Sequence, residues 1–276
     1  MKTQILKAVD LCKSFANNGG QNHVLDMINL EIYKGDFTVI MGSSGAGKST
    51  LLYTLSGMDT ATNGKIYYKD KELNSYAEKQ MADIRAKEFG FIFQQMHLIS
   101  NLTLLENAAV VGYLGQKKST KEVRERALAL LTQTHVEHAK DRLPSQVSGG
   151  EAQRAAIARA MMNEPEIIFA DEPTGALNKR NTEDVLDLLT ELNRQGQSIL
   201  MVTHDIRAAI HANRFLYLED GKISGEMEMP PYESKDTKNR EKQVDAWLSS
   251  MSWYIASKLR SSEISNCSSP VSVPSS

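Results

Sequence analysis

The stretch FTVIMGSSGAGKSTLLYTL, residues 37–55, contains three kinds of local structure in succession. Phe37 to Met41 is a short, nearly all-apolar run, which suits a central strand buried on both faces. Gly42 to Thr50 fits the spacing G-x-x-x-x-G-K-[ST]. Leu51 to Ser56 reads as a helix stopped by Gly57. Strand, Gly-rich loop and helix together open a βα unit. The glycines let backbone N–H groups curl around phosphate oxygens, and the following helix adds the positive end of its dipole. In this loop Lys48 can reach the β- and γ-phosphates of a nucleoside triphosphate, and the Ser49 hydroxyl can ligate Mg²⁺. The candidate nucleotide-binding residues are therefore Gly42, Ser43, Ser44, Gly45, Ala46, Gly47, Lys48, Ser49 and Thr50. The loop says nothing about what the energy is used for.

Outward from this unit, strand and helix signals alternate. Residues 3–10 and 23–33 read as strands separated by the turn-rich ANNGGQN at 16–22. Short strands are expected at 64–69 and 89–93, and a helical pattern from about Leu104 to Leu143. A helix after Gly150 ends near Asn163-Glu164-Pro165. It is followed by an apolar strand at 167–170, a helix at 179–194 and a strand at 198–203. A short helix at 205–212 and strands at 214–219 and 222–226 complete the pattern. Such alternation predicts an α/β domain with a mostly parallel sheet. Beyond it, PPYESKDTKNREKQ (230–243) is polar and linker-like. Val244, Trp247, Leu248 and Met251 fall at helical spacing, as in a helix docked by one face. The last stretch, SSEISNCSSPVSVPSS, is Ser/Pro-rich and predicted to be disordered.

Composition removes several classes. The 276 residues carry 32 basic and 34 acidic side chains, a net charge of -2, so no global charge points to nucleic acid or an anionic membrane. Cys12 and Cys267, the two cysteines, form neither a disulfide framework nor a metal spacing. That usage suits a reduced, cytosolic chain. No apolar stretch approaches the ~18–20 residues of a membrane span, and polar residues interrupt the N-terminal segment that a signal peptide would need.

Two further segments carry chemistry. In QVSGGEAQRAAIARAMM, 146–162, Ser148 is a good N-cap, and Gly149 and Gly150 let backbone amides approach an anion. In FADEPTGALN, 169–178, a buried strand ends in Asp171 and Glu172. Asp171 lies at the C-terminal end of a central strand, where open α/β sheets place ligands. There its carboxylate can hold Mg²⁺ next to Ser49. Glu172 points the other way if the chain stays extended, and so takes another role.

With these motifs in this order, residues 3 to about 226 resemble the ATP-binding cassette (ABC) ATPases. Phe15 matches the aromatic that stacks on adenine, and Gln94 in FIFQ matches the Q-loop glutamine. Val147 to Glu151 matches the signature usually written LSGGQ, and Ile167 to Glu172 matches Walker B plus the catalytic glutamate. Gly175 to Asn178 matches the D-loop, and His204, after the apolar SILMVT, matches the switch histidine. The resemblance implies a P-loop NTPase of ABC type over 1–228, with an N-terminal antiparallel β part and an inserted helical subdomain at about 96–162. A linker and docking helix (229–255) and a disordered tail (256–276) complete the expected organisation.

The resemblance further implies ATP hydrolysis with Mg²⁺. Glu172, His204, Lys48 and Gln94 would be catalytic, with Ser49, Gln94 and Asp171 at the metal and Ser148, Gly149, Gly150 and Glu151 at nucleotide. It implies a homodimer in which the P-loop of one chain and the Ser148 segment of the other clasp one ATP. It also implies an integral-membrane permease, a place on the inner face of the cell membrane, and no nucleic-acid partner. Two positions depart from the family pattern. Glu151 stands where Gln is common, and either repels nucleotide or simply begins a helix. Asn178 stands where Asp is usual. His23, His97, His135, His138 and His211 show no pairing and are expected to be solvated or incidental.

Within the family, FGFIFQ (89–94) and LISNLT (98–103) look like the group of macrolide exporters, lipoprotein-release ATPases and the cell-division cassette. The GALN loop and the tail REKQVDAWLSSMSW, 240–253, look most like cassettes for antimicrobial-peptide (bacitracin-type) export or resistance. A lipoprotein-release or cell-division cassette is the alternative. A soluble ABC ATPase acting on DNA or ribosomes is disfavoured by the single cassette and the absence of basic bias.

Overall fold

A computed structural model describes residues 2–17, 20–115 and 119–251. The tail at 256–276 and Cys267 lie outside these residues. The chain divides into two compact units, the first ending at Tyr232 and the second starting at Glu233.

In the first unit, β1 (Gln4–Asn17) and β2 (Gly20–Tyr33) form a long antiparallel hairpin. Pairing continues to Asn17↔Gly20, so the turn-rich segment is mostly strand. Strand β3 (Phe37–Met41) follows and is buried at every position, as its apolar run requires. Helix α1 (Lys48–Leu55) starts three residues earlier than its apolar pattern suggests, which puts Lys48, Ser49 and Thr50 in its first turn. Next come β4 (Asn63–Tyr68), β5 (Lys71–Glu72), α2 (Glu78–Glu88) and β6 (Phe89–Phe93). Only Met81 of α2 is buried, so this helix has almost no apolar stripe to betray it in sequence.

The expected long helical region resolves into α3 (Leu104–Gly115) and α4 (Thr120–Gln133), then short turns around Glu137 and Pro144. Helix α5 (Gly149–Ala160) precedes β7 (Ile167–Asp171), α6 (Lys179–Arg194) and β8 (Ser198–Val202). Helix α7 (Ile206–Ala209), β9 (Arg214–Glu219) and β10 (Lys222–Glu228) end the alternation. The described part of the second unit contains α8 (Thr237–Ser249), where the stripe Val244, Trp247 and Leu248 falls.

Among the described residues the strands build two sheets. One is antiparallel, in the order β2-β1-β4-β5. The other runs β10-β9-β3-β8-β7-β6, parallel except for β10. Its register carries Ile40, Val202, Asp171 and Phe93 in one row across four neighbouring strands. The segments that follow these residues therefore leave the sheet along a single edge. The largest apolar cluster, including Leu6, Leu52, Phe169 and Leu200, locks the two sheets around α1. A second cluster, including Leu104, Val123, Leu130 and Ala158, binds α3, α4 and α5 into a separate helical layer. Each fully buried Leu or Phe there is worth roughly 1.5–3 kcal/mol over an exposed one.

Candidate functional site

The P-loop leaves β3 at Gly42. A Cβ there would lie 2.2 Å from the carbonyl oxygen of Leu218 on β9, so the first glycine is required by close backbone approach as well as by the loop itself. Gly47, at φ +99°, caps α1 without any side-chain hydrogen bond. The first amides of α1 therefore have no side-chain cap, the condition for an anion site at a helix N-terminus. Lys48 is nearly buried, and its Nζ donates to the carbonyls of Gly42 (3.0 Å) and Ser43 (2.9 Å). Burial lowers its pKa, while the nearby carboxylates Glu172 and Asp171 act in the opposite sense. Phe15, on β1, is exposed, and Lys13 Nζ sits 4.8 Å from its ring centroid. Lys13 is in turn fixed by Asp59 at 2.6 Å.

Asp171 closes β7 with both carboxylate oxygens engaged. Ser49 Oγ donates to Oδ1 at 2.8 Å and the Tyr53 hydroxyl to Oδ2 at 2.5 Å. Burial and this bond hold the Tyr53 phenol well above its usual pKa. Tyr53 escaped the sequence reading, although its i, i+4 spacing from Ser49 puts both on one face of α1. Clusters of three or more His, Cys, Asp or Glu able to hold a metal are absent among the described residues. A hydroxyl and a carboxylate 2.8 Å apart nonetheless fit Mg²⁺, which takes one or two protein oxygens and fills its shell with phosphate and water.

Glu172 departs from the expected geometry. Strand β7 ends at Asp171, and Glu172 has φ +45°, a left-handed backbone conformation. It is this turn, and not strand alternation, that separates the two carboxylates. The conformation is strained for a non-glycine residue and held by its neighbours: Glu172 N–H donates to Val202 O at 3.0 Å, and Glu172 O accepts from Gly175 N–H at 3.0 Å. Oε1 lies 2.8 Å from His204 Nδ1, and Oε2 accepts from the Thr203 hydroxyl at 3.3 Å. The register of β7 and β8 thus brings His204 to Glu172 from a separate part of the sequence.

Gln94 follows Phe93, the register partner of Asp171. Its side-chain amide lies over Gly175, where an added Cβ would come within 2.7 Å of Nε2. The signature segment caps α5. Ser148 Oγ accepts from Glu151 N–H at 3.3 Å, and Glu151 Oε2 accepts from Ser148 N–H and from its hydroxyl. Glu151 also lies 2.9 Å from His138 Nε2. Ser148 and His138 together hold the Glu151 carboxyl down to about 2. Glu151 thus begins α5 as its third residue, closing the capping box with Ser148. Gly149 lies at the first position of α5. A Cβ at Gly150 would meet Asn181 of α6 at 2.5 Å. Asn178 is the N-cap of α6, accepting from Asn181 N–H at 3.0 Å.

The histidines expected to be unpaired are, with one exception, engaged. His138 meets Glu151, His23 meets Ser14 at 2.8 Å, and His97 packs edge-on against Phe93. His211 is buried, bonded to Thr190 at 2.7 Å and against the Tyr232 ring. Apart from Phe93, four residues before His97, these partners lie 9 to 21 positions away, beyond what local spacing reveals.

A phosphate loop, a hydroxyl–carboxylate pair and a glutamate–histidine pair along one sheet edge define a P-loop ATPase. The model of the ABC transporter family matches residues 25–175, and the chain belongs to that family. It is 40% identical over 268 residues to the macrolide export ATP-binding/permease protein MacB of Mannheimia succiniciproducens, covering 93% of this chain and 41% of that protein. For the MacB of Pasteurella multocida the values are 38% over 223 residues, 81% and 34%. The chain thus spans less than half the length of these relatives. Among solved structures, the ATP-binding cassette MJ0796 as a dimer bound to ADP and Pi matches with TM-score 0.77 and 37% identity, covering 83% of this chain and 100% of that one. CbiO1 of Clostridium perfringens, part of the ABC transporter complex cbiONQ, matches with TM-score 0.74 and 27% identity, covering 94% of this chain and 100% of that one.

Proposed function

We propose that this chain is the ATP-hydrolysing subunit of an ABC exporter that confers resistance to antimicrobial peptides of the bacitracin type. In this reading it works as a homodimer on the inner face of the membrane and powers a separate permease. The observation that carries the coupling is a cleft of about 320 Å³ next to the Q-loop, lined by Phe91, Phe93, Ile99, Val110, Val111 and Arg159. It opens between α2, β6, α3 and α5, and Ile99 in its lining is exposed. A largely apolar cleft with two arginines, Arg85 and Arg159, in its lining suits a short amphipathic helix with an acidic end, such as a cytoplasmic segment of a permease. None of the described helices is long and apolar enough to cross a membrane, so the spanning part would come from elsewhere.

In the proposed cycle the α1 amides and Lys48 hold the β- and γ-phosphates while Phe15 stacks on the base. Ser49, Asp171 and Gln94 hold Mg²⁺, which neutralises charge on the phosphate oxygens when bound. Glu172 orients the attacking water, and His204 fixes the carboxylate that does so. The dimeric cassette MJ0796 supports assembly in pairs, with the Ser148, Gly149 and Glu151 segment of one chain closing over the nucleotide of the other. The peptide assignment rests on GALN at 175–178 and on the α8 tail. The macrolide exporters among the relatives support a second reading, export of a macrolide-like molecule. Deleting the gene and testing growth on a panel of both drug classes separates the readings. Sensitisation to bacitracin-like peptides supports the first, sensitisation to macrolides alone replaces it with the second, and unaltered growth on both overturns each.

A further inference from the structure

Gln153 lies in the second turn of α5, and its side chain is fully buried. Its Nε2 donates to the carbonyl of Pro173 at 2.7 Å and to that of Phe93 at 3.3 Å. Pro173 directly follows Glu172, and Phe93 directly precedes Gln94. One amide therefore ties together the backbone after the catalytic glutamate and the backbone before the Q-loop glutamine. It does so from the helix whose first turn is the Ser148 segment. The Q-loop side has other anchors on the same helix, since Arg159 donates to the carbonyls of Met96 and His97, each at 2.6 Å. Gly175 N–H and Leu177 N–H bond only within their own turn, to Glu172 O and Thr174 O. The Oε1 of Gln153 is buried without a hydrogen-bond partner. A buried amide with an idle acceptor is costlier than an apolar residue of the same size, so what this side chain contributes lies in the two carbonyls it binds.

We infer that Gln153 is a positioning residue for ATP hydrolysis, setting the spacing between Gln94 and Glu172 and coupling both to the signature helix. It does not reach the P-loop, whose Lys48 and first α1 amides bind phosphate independently. Loss of its donor therefore affects turnover and leaves nucleotide binding intact. Met has the same length and no polar atoms, so Gln153→Met keeps the packing while removing the bonds.

The test combines amide hydrogen exchange and steady-state ATPase kinetics on the full chain. In Gln153→Met, exchange at Gly175 and Leu177 rises by about tenfold, while exchange at Leu51, in the P-loop helix, stays within about twofold. The kcat falls by about tenfold or more, with KM for ATP within about twofold. Unchanged exchange at Gly175 and Leu177, equal acceleration at Leu51, or an unchanged kcat would each overturn the inference. If Gln153→Met does not fold, Gln153→Asn, whose amide is one methylene too short to bridge both carbonyls, is read by the same criteria.

Discussion

The Tyr53 hydroxyl and the Ser49 hydroxyl, one turn apart on α1, each hold one oxygen of Asp171. The carboxylate is thereby oriented before any ion reaches it, which lowers the reorganisation needed to bind Mg²⁺. In Tyr53→Phe, Oδ2 loses its donor while the aromatic body stays in place beside Phe93. The Mg²⁺ concentration that half-saturates ATPase activity should rise by about threefold to tenfold, in the lower part of the range for lost outer partners of a metal ligand. The melting temperature should fall by a few degrees at most. A Mg²⁺ titration by isothermal calorimetry in the presence of ADP checks the same shift without turnover.

Removing the charge of Glu172 while keeping its shape tests its assignment to water. Glu172→Gln should retain ATP binding and lose about 10²–10⁴-fold in kcat, the usual worth of a positioned general base. His204→Ala acts through the same carboxylate, so combining it with Glu172→Gln should add much less than its own single loss. Single-turnover kinetics of the two variants and the double variant measure this directly.

Hydrogen bonds from Ser148 and then His138 hold the Glu151 carboxyl down to about 2 in the folded chain, against its ordinary value of 4.5. The folded value lies below the unfolded one, so the ionised form favours folding. This contribution is fully present above about pH 4.5 and is lost as pH falls toward 2. Urea titrations of wild type and Glu151→Gln should therefore differ at pH 7 and converge as pH drops below 4.5. A gap that widens on acidification would contradict the assignment.

Asn178 caps α6 with its side-chain oxygen, and Asp can make the same bond. Asn178→Asp should leave ATPase activity within about twofold and stabilise the chain by about 0.3–1 kcal/mol through the helix dipole. An inactive wild-type protein rescued by this substitution would show that the charge, and not the cap, is what this loop needs.

A Cβ at Gly150 would fall 2.5 Å from Cγ of the Asn181 side chain, which must turn aside to admit even one methyl group. Gly150→Ala should lower stability by about 1 kcal/mol, the low end of the cost of overpacking. Shortening the neighbour in Gly150→Ala/Asn181→Ser should recover part of that loss. Thermal unfolding of both variants checks this.

Most of this fold and its phosphate site were legible in the chain because they rest on local chemistry. An apolar run with glycines at fixed spacing can make only a few backbone shapes, and the alternation of strands with helices restricts the topology to a mostly parallel sheet. Of the residues anticipated from motifs, the phosphate loop, Gln94, Asp171, Glu172 and His204 lie at or just after the ends of strands along one sheet edge, whereas Phe15 lies on the antiparallel sheet and the Ser148 segment caps α5. What the sequence by itself could not contain is relative placement across the sheet. The left-handed turn at Glu172, the grip of Tyr53 on Asp171 and the bridge from Gln153 to Pro173 depend on strand register and helix packing. The pairing of His138 with Glu151 depends on them as well. These contacts join residues 13 to 118 positions apart, except for the turn at Glu172 itself. Sequence proximity has no bearing on such distances, and only the packed core, by fixing every element at once, brings the groups within hydrogen-bond reach.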